Sequence, residues 1–270
     1  MSKRKYTDHQ IINQLINNQI NKNYWAKISL LRSKPSQELF DKCVELIVSP
    51  NAKNRMIGID IVAQLGLPPR PFFKETIKIL FQILHNEKDT KTISSLLFAI
   101  GHNNHKMNQK QIKTLCSFVD NPHQDIRKGL TFALLGVEDS QAIDALIKLS
   151  GDKFSRIRNW ATFGLGDLTD LDNADIQNAL RKRLKDKHLE TRYEAILGLA
   201  KRKYHNISEI IEYELLKNNY STLLYEAVIA TQNSFFLPLL EKQLHDAQKD
   251  NDIPLECIEK LKECINLLNQ

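Results

Sequence analysis

The sequence predicts an all-α protein, an α-solenoid of about eight stacked helical hairpins. Apolar residues recur at helical spacing almost throughout the 270 residues. Gly (9) and Pro (8) are scarce and lie between the apolar-periodic segments. One helical segment also recurs at intervals of 31 to 34 residues, which is typical of repeat architectures. No stretch alternates apolar and polar residues as a half-buried strand does.

Turn-forming residues divide the chain into segments of ordinary helix length. Pro35 and Ser36 open one helix with Ser36 as its N-cap, and Asn121 and Pro122 separate two others. We predict a single 1–270 domain with its clearest repeats over 50–235 and atypical capping hairpins at 1–35 and 235–270. The predicted hairpins are 10–20 with 22–33, 36–48 with 52–65, 72–86 with 90–101, 108–119 with 123–136, 140–150 with 154–168, 174–185 with 189–202, 207–217 with 221–231, and 235–247 with 254–268.

The second helix of each hairpin carries the repeat. In three of them an arginine lies six residues after an acidic residue or asparagine of the inter-helix turn. A turn carboxylate can cap the second helix, and the arginine can reach the corresponding carboxylate of the next repeat. We therefore predict a structural ladder rather than a row of guanidinium groups presented to phosphates. Its members are Asn121 with Arg127, Asp152 with Arg158, and Asp186 with Arg192.

Small residues recur in the same helices. Gly164, Gly198 and Ala230 share one column of the alignment. Glycine inside a helix costs roughly 1 kcal/mol relative to alanine, so its recurrence needs a compensating gain. The pattern predicts that neighbouring second helices approach each other closely at this column.

These columns resemble the HEAT repeat, and within it the bacterial HEAT-like group first described around phycobilin lyases. The resemblance is best over 120–205. It implies a right-handed superhelix whose second helices line a concave binding face, and it implies scaffold or adaptor roles more than catalysis. The sequence departs from the pattern where Ile93 and Leu224 replace the arginine and where Glu87 and Asn218 replace the turn aspartate. An unbroken ladder is therefore expected only in the middle of the chain.

Charge is distributed in blocks. Residues 1–135 carry 20 Lys and Arg against 10 Asp and Glu, whereas 136–270 carry 18 against 22. The densest basic cluster offers either a solvated surface or a patch for an anionic partner, and the sequence leaves both alternatives open. This cluster comprises Arg181, Lys182, Arg183, Lys185, Lys201, Arg202 and Lys203. Trp160 is a candidate partner anchor on the concave face, although ordinary packing between repeats is favoured.

The sequence predicts neither catalysis nor a cofactor. His102 and His105 are three residues apart but have no third ligand nearby, so no metal site is predicted. The four cysteines form no C-x-x-C pair, and we expect them to be buried thiols of a reducing compartment. The absence of a long apolar segment predicts a cytoplasmic protein without membrane contact.

A binding scaffold for a protein partner is the function that these features favour, with the partner's identity and the oligomeric state left open. Nucleic-acid binding is the alternative, supported by a pI near 9.0 and by the basic first half. A DNA-glycosylase-like activity or a phycobilin-lyase-like role would rest on the fold resemblance alone.

Overall fold

The computed structural model describes residues 6–17, 23–250 and 252–270, and every regular element within them is helical. Sixteen α-helices follow one another as eight antiparallel hairpins in this part of the chain, which confirms the predicted all-α repeat class. The chain divides into two compact units, Met1–Val137 and Glu138–Gln270. The predicted helix ends at 18–22 lie outside the described residues.

Unit 1 contains four hairpins. A 3-10 turn at Asn104–Lys106 follows the third of them. The helices are α1 (Asp8–Asn17) with α2 (Tyr24–Arg32), α3 (Gln37–Ile47) with α4 (Ala52–Val62), α5 (Phe73–Leu84) with α6 (Thr90–Gly101), and α7 (Gln109–Cys116) with α8 (Gln124–Leu134).

Unit 2 contains the other four hairpins. The predicted helix start at 235 is a 3-10 turn, Ser234–Phe236, because the α-helix proper begins with Pro238 in its first turn. The helices are α9 (Ser140–Leu149) with α10 (Ser155–Gly166), α11 (Ala174–Arg183) with α12 (Leu189–Lys201), α13 (Ile207–Leu215) with α14 (Thr222–Thr231), and α15 (Leu237–Ala247) with α16 (Leu255–Leu268).

Side-chain caps fix several helix starts. Ser36 accepts a hydrogen bond from the backbone N–H of Leu39 at 3.1 Å, as predicted. Asn108 and Gln111 form a reciprocal capping box at the start of α7. The turn residue Asp152 acts differently from a cap, because its carboxylate accepts the N–H of Phe154, two residues on, and so shapes the turn before α10.

The second helices pack against one another within each unit. In unit 1 they are α2, α4, α6 and α8, and in unit 2 they are α10, α12, α14 and α16. Neighbouring first helices contact each other far less, so each unit curves with its second helices on the inner side. We call these the inner helices, and their solvent-facing side the inner surface of the unit. No helix within the described residues has both the length and the apolar character needed to cross a bilayer.

Two inner helices of unit 2 approach each other closely at glycine residues. A Cβ atom placed on Gly198 of α12 would lie 2.5 Å from the Cα of Gly166 at the end of α10. The sequence column predicted close approach at Gly198, and the structure identifies Gly166, two residues after the aligned Gly164, as the facing residue. A side chain at Gly198 would therefore force the backbones of α10 and α12 apart.

Candidate binding surfaces

Three arginines of the inner helices link consecutive hairpins within the units. In unit 1, Arg55 donates to both carboxylate oxygens of Glu87, at 2.7 and 2.9 Å. In unit 2, Arg158 donates to both oxygens of Asp186 at 2.7 Å. Arg192 then lies 3.8 Å from Glu214. These bidentate and charge-assisted contacts are among the stronger polar interactions in proteins, and each of the three binds one hairpin to the next.

The six-residue spacing has a second physical basis. Arg55 and the three arginines of the predicted ladder also fold back on their own inter-helix turns, where Nη1 donates to the carbonyl oxygen six residues earlier. Arg127 makes this bond to Asn121 at 2.7 Å, and Arg192 makes it to Asp186 at 2.8 Å. The guanidinium group therefore satisfies the turn with one edge and has the other available for a carboxylate. The bonds are from Arg55 to Ser49, Arg127 to Asn121, Arg158 to Asp152, and Arg192 to Asp186.

Replacing Asp186 with asparagine is expected to lower the free energy of unfolding by about 2 kcal/mol at neutral pH. Arg158 and burial set the pKa of this carboxyl, with the arginine holding it down at about 2. Because the folded pKa lies below the unfolded value of about 3.9, the stabilisation is present above pH ~4 and is lost as the pH falls from about 4 towards about 2. Urea unfolding at several pH values measures the difference.

Asp144→Asn is the matched control, because Asp144 is an exposed residue of α9. It should change the free energy of unfolding by less than about 0.5 kcal/mol at every pH. A difference between Asp186→Asn and the wild type that is as large at pH ~2 as at pH 7 would contradict an ionic role for Asp186.

Unit 1 has a pocket on its inner surface. Its volume is about 630 Å³, within the range of ordinary ligand and side-chain pockets. Trp25 forms part of the wall and remains 57% exposed. The lining comes from inner helices and from the residues that follow α4 and α6: Trp25, Arg32, Met56, Asp60, Ala63, Gln64, Lys91, Ser94, Ser95, Phe98, Ala99, His102 and Asp125.

A buried hydrogen-bond network forms the floor of this pocket. The Asp60 carboxylate accepts from the hydroxyl of Tyr24 at 2.6 Å and from that of Ser95 at 2.8 Å. Arg32 donates to the backbone carbonyl of Asp60 and to Gln64 Oε1. Burial raises the pKa of Asp60, and the two hydroxyl bonds and Arg32 oppose that rise. The polar groups of the floor are thus held in place by three successive inner helices before any partner arrives.

His102 lies at the edge of the same network. Its Nδ1 is 3.3 Å from Nε2 of Gln64. Burial, with Arg32 and Arg70 nearby, lowers the pKa of His102 to about 4, so the imidazole is neutral at physiological pH. Within the described residues, no group of three or more His, Cys, Asp or Glu side chains is arranged to hold a metal ion. The pocket can therefore offer neutral donors and acceptors beside an exposed indole.

The predicted basic cluster is divided by the structure. Arg183 donates to Asp186 at 3.0 Å, and Lys201 is bonded to Asp167. Arg202 lies inside the fold, where its guanidinium donates to five backbone carbonyls of unit 2. The exposed members of the cluster are Lys201, which is bonded to Asp167, and Arg181, Lys182, Lys185 and Lys203.

Arg202 therefore takes part in the packing of unit 2. Its side chain is only 7% exposed, and it joins α12 to the end of α10. Asn103 joins two inner helices of unit 1 in a similar way, because its side-chain amide donates to the carbonyls of Ala63 and Ala99 at 2.8 Å. Trp160, the predicted anchor, is half-buried on α10.

Comparison with known proteins supports the fold. No protein-family model matches the chain. Protein YibA of Escherichia coli K12 is 34% identical over 138 residues, which are 51% of this chain and 49% of YibA, so the match spans about half the length of that relative. The X-ray structure of YibA aligns over 100% of both chains with a TM-score of 0.73 and 22% identity. The chain has a HEAT/armadillo-like helical-repeat fold.

The repeat fold extends to a second solved structure. The complex of CpcE and CpcF of phycocyanin lyase from Nostoc sp. PCC7120 gives a TM-score of 0.51 at 16% identity, over 99% of this chain and 97% of that one. At such identities the likeness concerns the helical-repeat fold alone. It agrees with the resemblance to the lyase-type HEAT group that the repeat columns indicated.

Proposed function

We propose that this helical-repeat protein is a non-enzymatic scaffold that holds a protein partner on the inner surfaces of its units. The observation that carries the proposal is the unit 1 pocket, in which an exposed tryptophan stands over a polar floor that is already hydrogen-bonded. Preorganised polar groups beside an aromatic anchor are the usual composition of an interface hot spot, because little ordering entropy is lost on binding.

Trp25 is the natural anchor of such an interface. Its ring makes an edge contact with Tyr24 at 5.2 Å between centroids, and the Arg32 guanidinium lies 5.9 Å from its centroid. The indole is therefore held in one orientation while much of its surface stays open to solvent. Covering that surface with a partner would release water from a large rigid side chain, which is why tryptophan dominates many interfaces.

Trp25→Ala is expected to weaken partner binding about thirtyfold or more, which corresponds to about 2 kcal/mol. The protein and its variants are immobilised and exposed to native lysate, the retained proteins are quantified by mass spectrometry, and the affinity of the purified partner is then measured. Tyr213→Ala is the matched control, because Tyr213 is an aromatic residue on the first helix α13 that is 63% exposed. Equal retention by wild type and Trp25→Ala, or no specific retention, would contradict the proposal.

Nucleic-acid binding is the second candidate, and the exposed side chains of Arg181, Lys182, Lys185 and Lys203 favour it. Fluorescence anisotropy with short DNA and RNA separates the two functions. A scaffold should lose all binding at about 0.15 M salt, because diffuse surface charge is screened. Binding that persists there with a steep salt dependence, and that falls in a Lys182→Ala, Lys185→Ala double variant, would instead support phosphate contacts.

A further inference from the structure

Glu194 lies near the middle of inner helix α12 and has an incomplete environment. The residue is only 8% exposed, and its Oε2 has no hydrogen-bond partner. A buried carboxylate oxygen without a donor is uncommon in native proteins because its lost hydration is not replaced. Burial, reinforced by neighbouring carboxylates, raises the pKa of Glu194 to about 7. Burial of Glu194 therefore destabilises the ionised carboxylate, and a hydrogen-bond donor bound at Oε2 would reduce this loss.

The surroundings of Glu194 are acidic. The carboxylates of Asp167, Glu190 and Glu226 raise its pKa, while Lys201 opposes them. These groups belong to α12 itself, to the end of α10 and to α14, all of them inner helices of unit 2. We call Asp167, Glu190, Glu194, Glu226 and Glu263 the acidic strip.

Two lysines neutralise only part of the acidic strip. Lys201 is bonded to Asp167, and Lys260 lies 3.7 Å from Glu226 and 2.9 Å from Glu263. Glu190 and Glu194 are not paired with these lysines, so the strip holds five carboxylates against two lysines. A basic ligand is attracted to the acidic strip and repelled by the basic residues 1–135, so the strip favours positive charge.

We propose that the acidic strip binds a lysine- or arginine-rich segment of the protein partner, and that a cationic side chain of this segment donates to Glu194. The inference rests on the proposed scaffold function and adds the chemistry of the partner. A cation beside Glu194 supplies the missing hydrogen-bond donor and offsets the repulsion among the neighbouring carboxylates at the same time. An acidic or neutral segment would do neither.

The test uses the full chain and a fluorescent octalysine peptide, with octaglutamate as the peptide of opposite charge. Anisotropy is followed at about 0.15 M salt, near pH 6 and near pH 8. Octalysine should bind the wild type several-fold more tightly near pH 8, where Glu194 is ionised, than near pH 6, where its pKa of about 7 leaves it mostly protonated. Octaglutamate should not compete.

Glu194→Gln should weaken octalysine binding about tenfold near pH 8 and abolish its pH dependence. Glu241→Gln is the matched control, because it makes the same charge change at an exposed position of first helix α15, and it should bind within about twofold of wild type. The glutamine variant should also fold well, since it removes an ionisation that opposes folding above pH ~4.3, and thermal unfolding checks this.

Three results would overturn the inference: no octalysine binding to the wild type, binding unchanged in Glu194→Gln, or an equal loss in Glu241→Gln. The proposed scaffold function is tested by a different experiment, the retention of a partner that depends on Trp25. Partner retention that depends on Trp25 would support the scaffold even when octalysine does not bind, and its absence would count against the scaffold even when octalysine does bind.

Discussion

Gly198→Ala is expected to lower the free energy of unfolding by about 2 kcal/mol or more, although alanine is the better helix former. The added methyl group would lie 2.5 Å from the Cα of Gly166 and 3.1 Å from a methyl carbon of Leu180. The first of these contacts is with backbone, which cannot rotate away as a side chain can. Helices α10 and α12 must separate, and the packing between two consecutive hairpins is weakened along its length.

The sign of this effect is what makes the measurement informative. Helix propensity alone would make alanine more stabilising by about 1 kcal/mol, so close packing and propensity predict opposite results. Urea unfolding of Gly198→Ala and of Gly151→Ala decides between them. At Gly151 the nearest atom to a new Cβ is the Lys148 carbonyl at 3.4 Å, an ordinary contact, so this control should stay within about 0.5 kcal/mol of wild type. A stabilised Gly198→Ala protein would show that α10 and α12 do not meet as described.

Most helices could be predicted because their signals are local. Apolar periodicity and turn residues are read within one helix, and Ser36 caps α3 with the geometry that its sequence position indicates. The acidic partner of Arg192 could not be predicted in the same way. The repeat column offered Asn218, but the structure uses Glu214, one turn earlier on α13, because a side chain there also reaches the arginine. The alignment column identifies the repeat, but the distance that a side chain can span determines which carboxylate pairs with the arginine.

The unit 1 pocket was missed for a related reason. Nothing local in the sequence distinguishes Asp60 or Ser95 from surface polar residues. Their contact depends on a separation of 35 residues, close to the repeat period, which places them on facing inner helices. The hydroxyl of Tyr24 meets Asp60 across 36 residues in the same way. Polar residues that recur at the repeat spacing were therefore the available signal.

The residue types of the basic cluster do not predict which of its cations are exposed to solvent. Three consecutive cationic residues near the end of α12 have different environments. Lys201 is bonded to Asp167, Arg202 lies inside the fold, and Lys203 is exposed to solvent. The difference is made by the end of α10, whose carbonyls converge on one point of α12 because Gly166 and Gly198 bring the two helices so close. A burial pattern of this kind depends on the approach of two helices and cannot be read from one of them.

Arg202→Ala is accordingly expected to be among the most destabilising substitutions of the basic cluster, costing about 3 to 5 kcal/mol. Nη1 donates to the carbonyls of Gly166 and Gly198 at 3.0 Å. Nη2 donates to those of Leu165, Thr169 and Leu171 at 2.9 Å. Removing the guanidinium leaves several enclosed carbonyls without donors, and water can replace only those at the edge. Chemical unfolding measures the loss.

Two further variants are compared with Arg202→Ala: the conservative Arg202→Lys, and Lys182→Ala as a control at an exposed position. A single ammonium group cannot serve both sets of carbonyls, so Arg202→Lys should lie between wild type and Arg202→Ala. Lys182 is exposed, and its removal should cost less than about 0.5 kcal/mol. If Arg202→Ala left stability unchanged but weakened the binding of an anionic partner, Arg202 would belong to a basic binding surface. A large loss of stability without that effect assigns the residue to the joint between α10 and α12, and leaves only the exposed cations for a partner to contact.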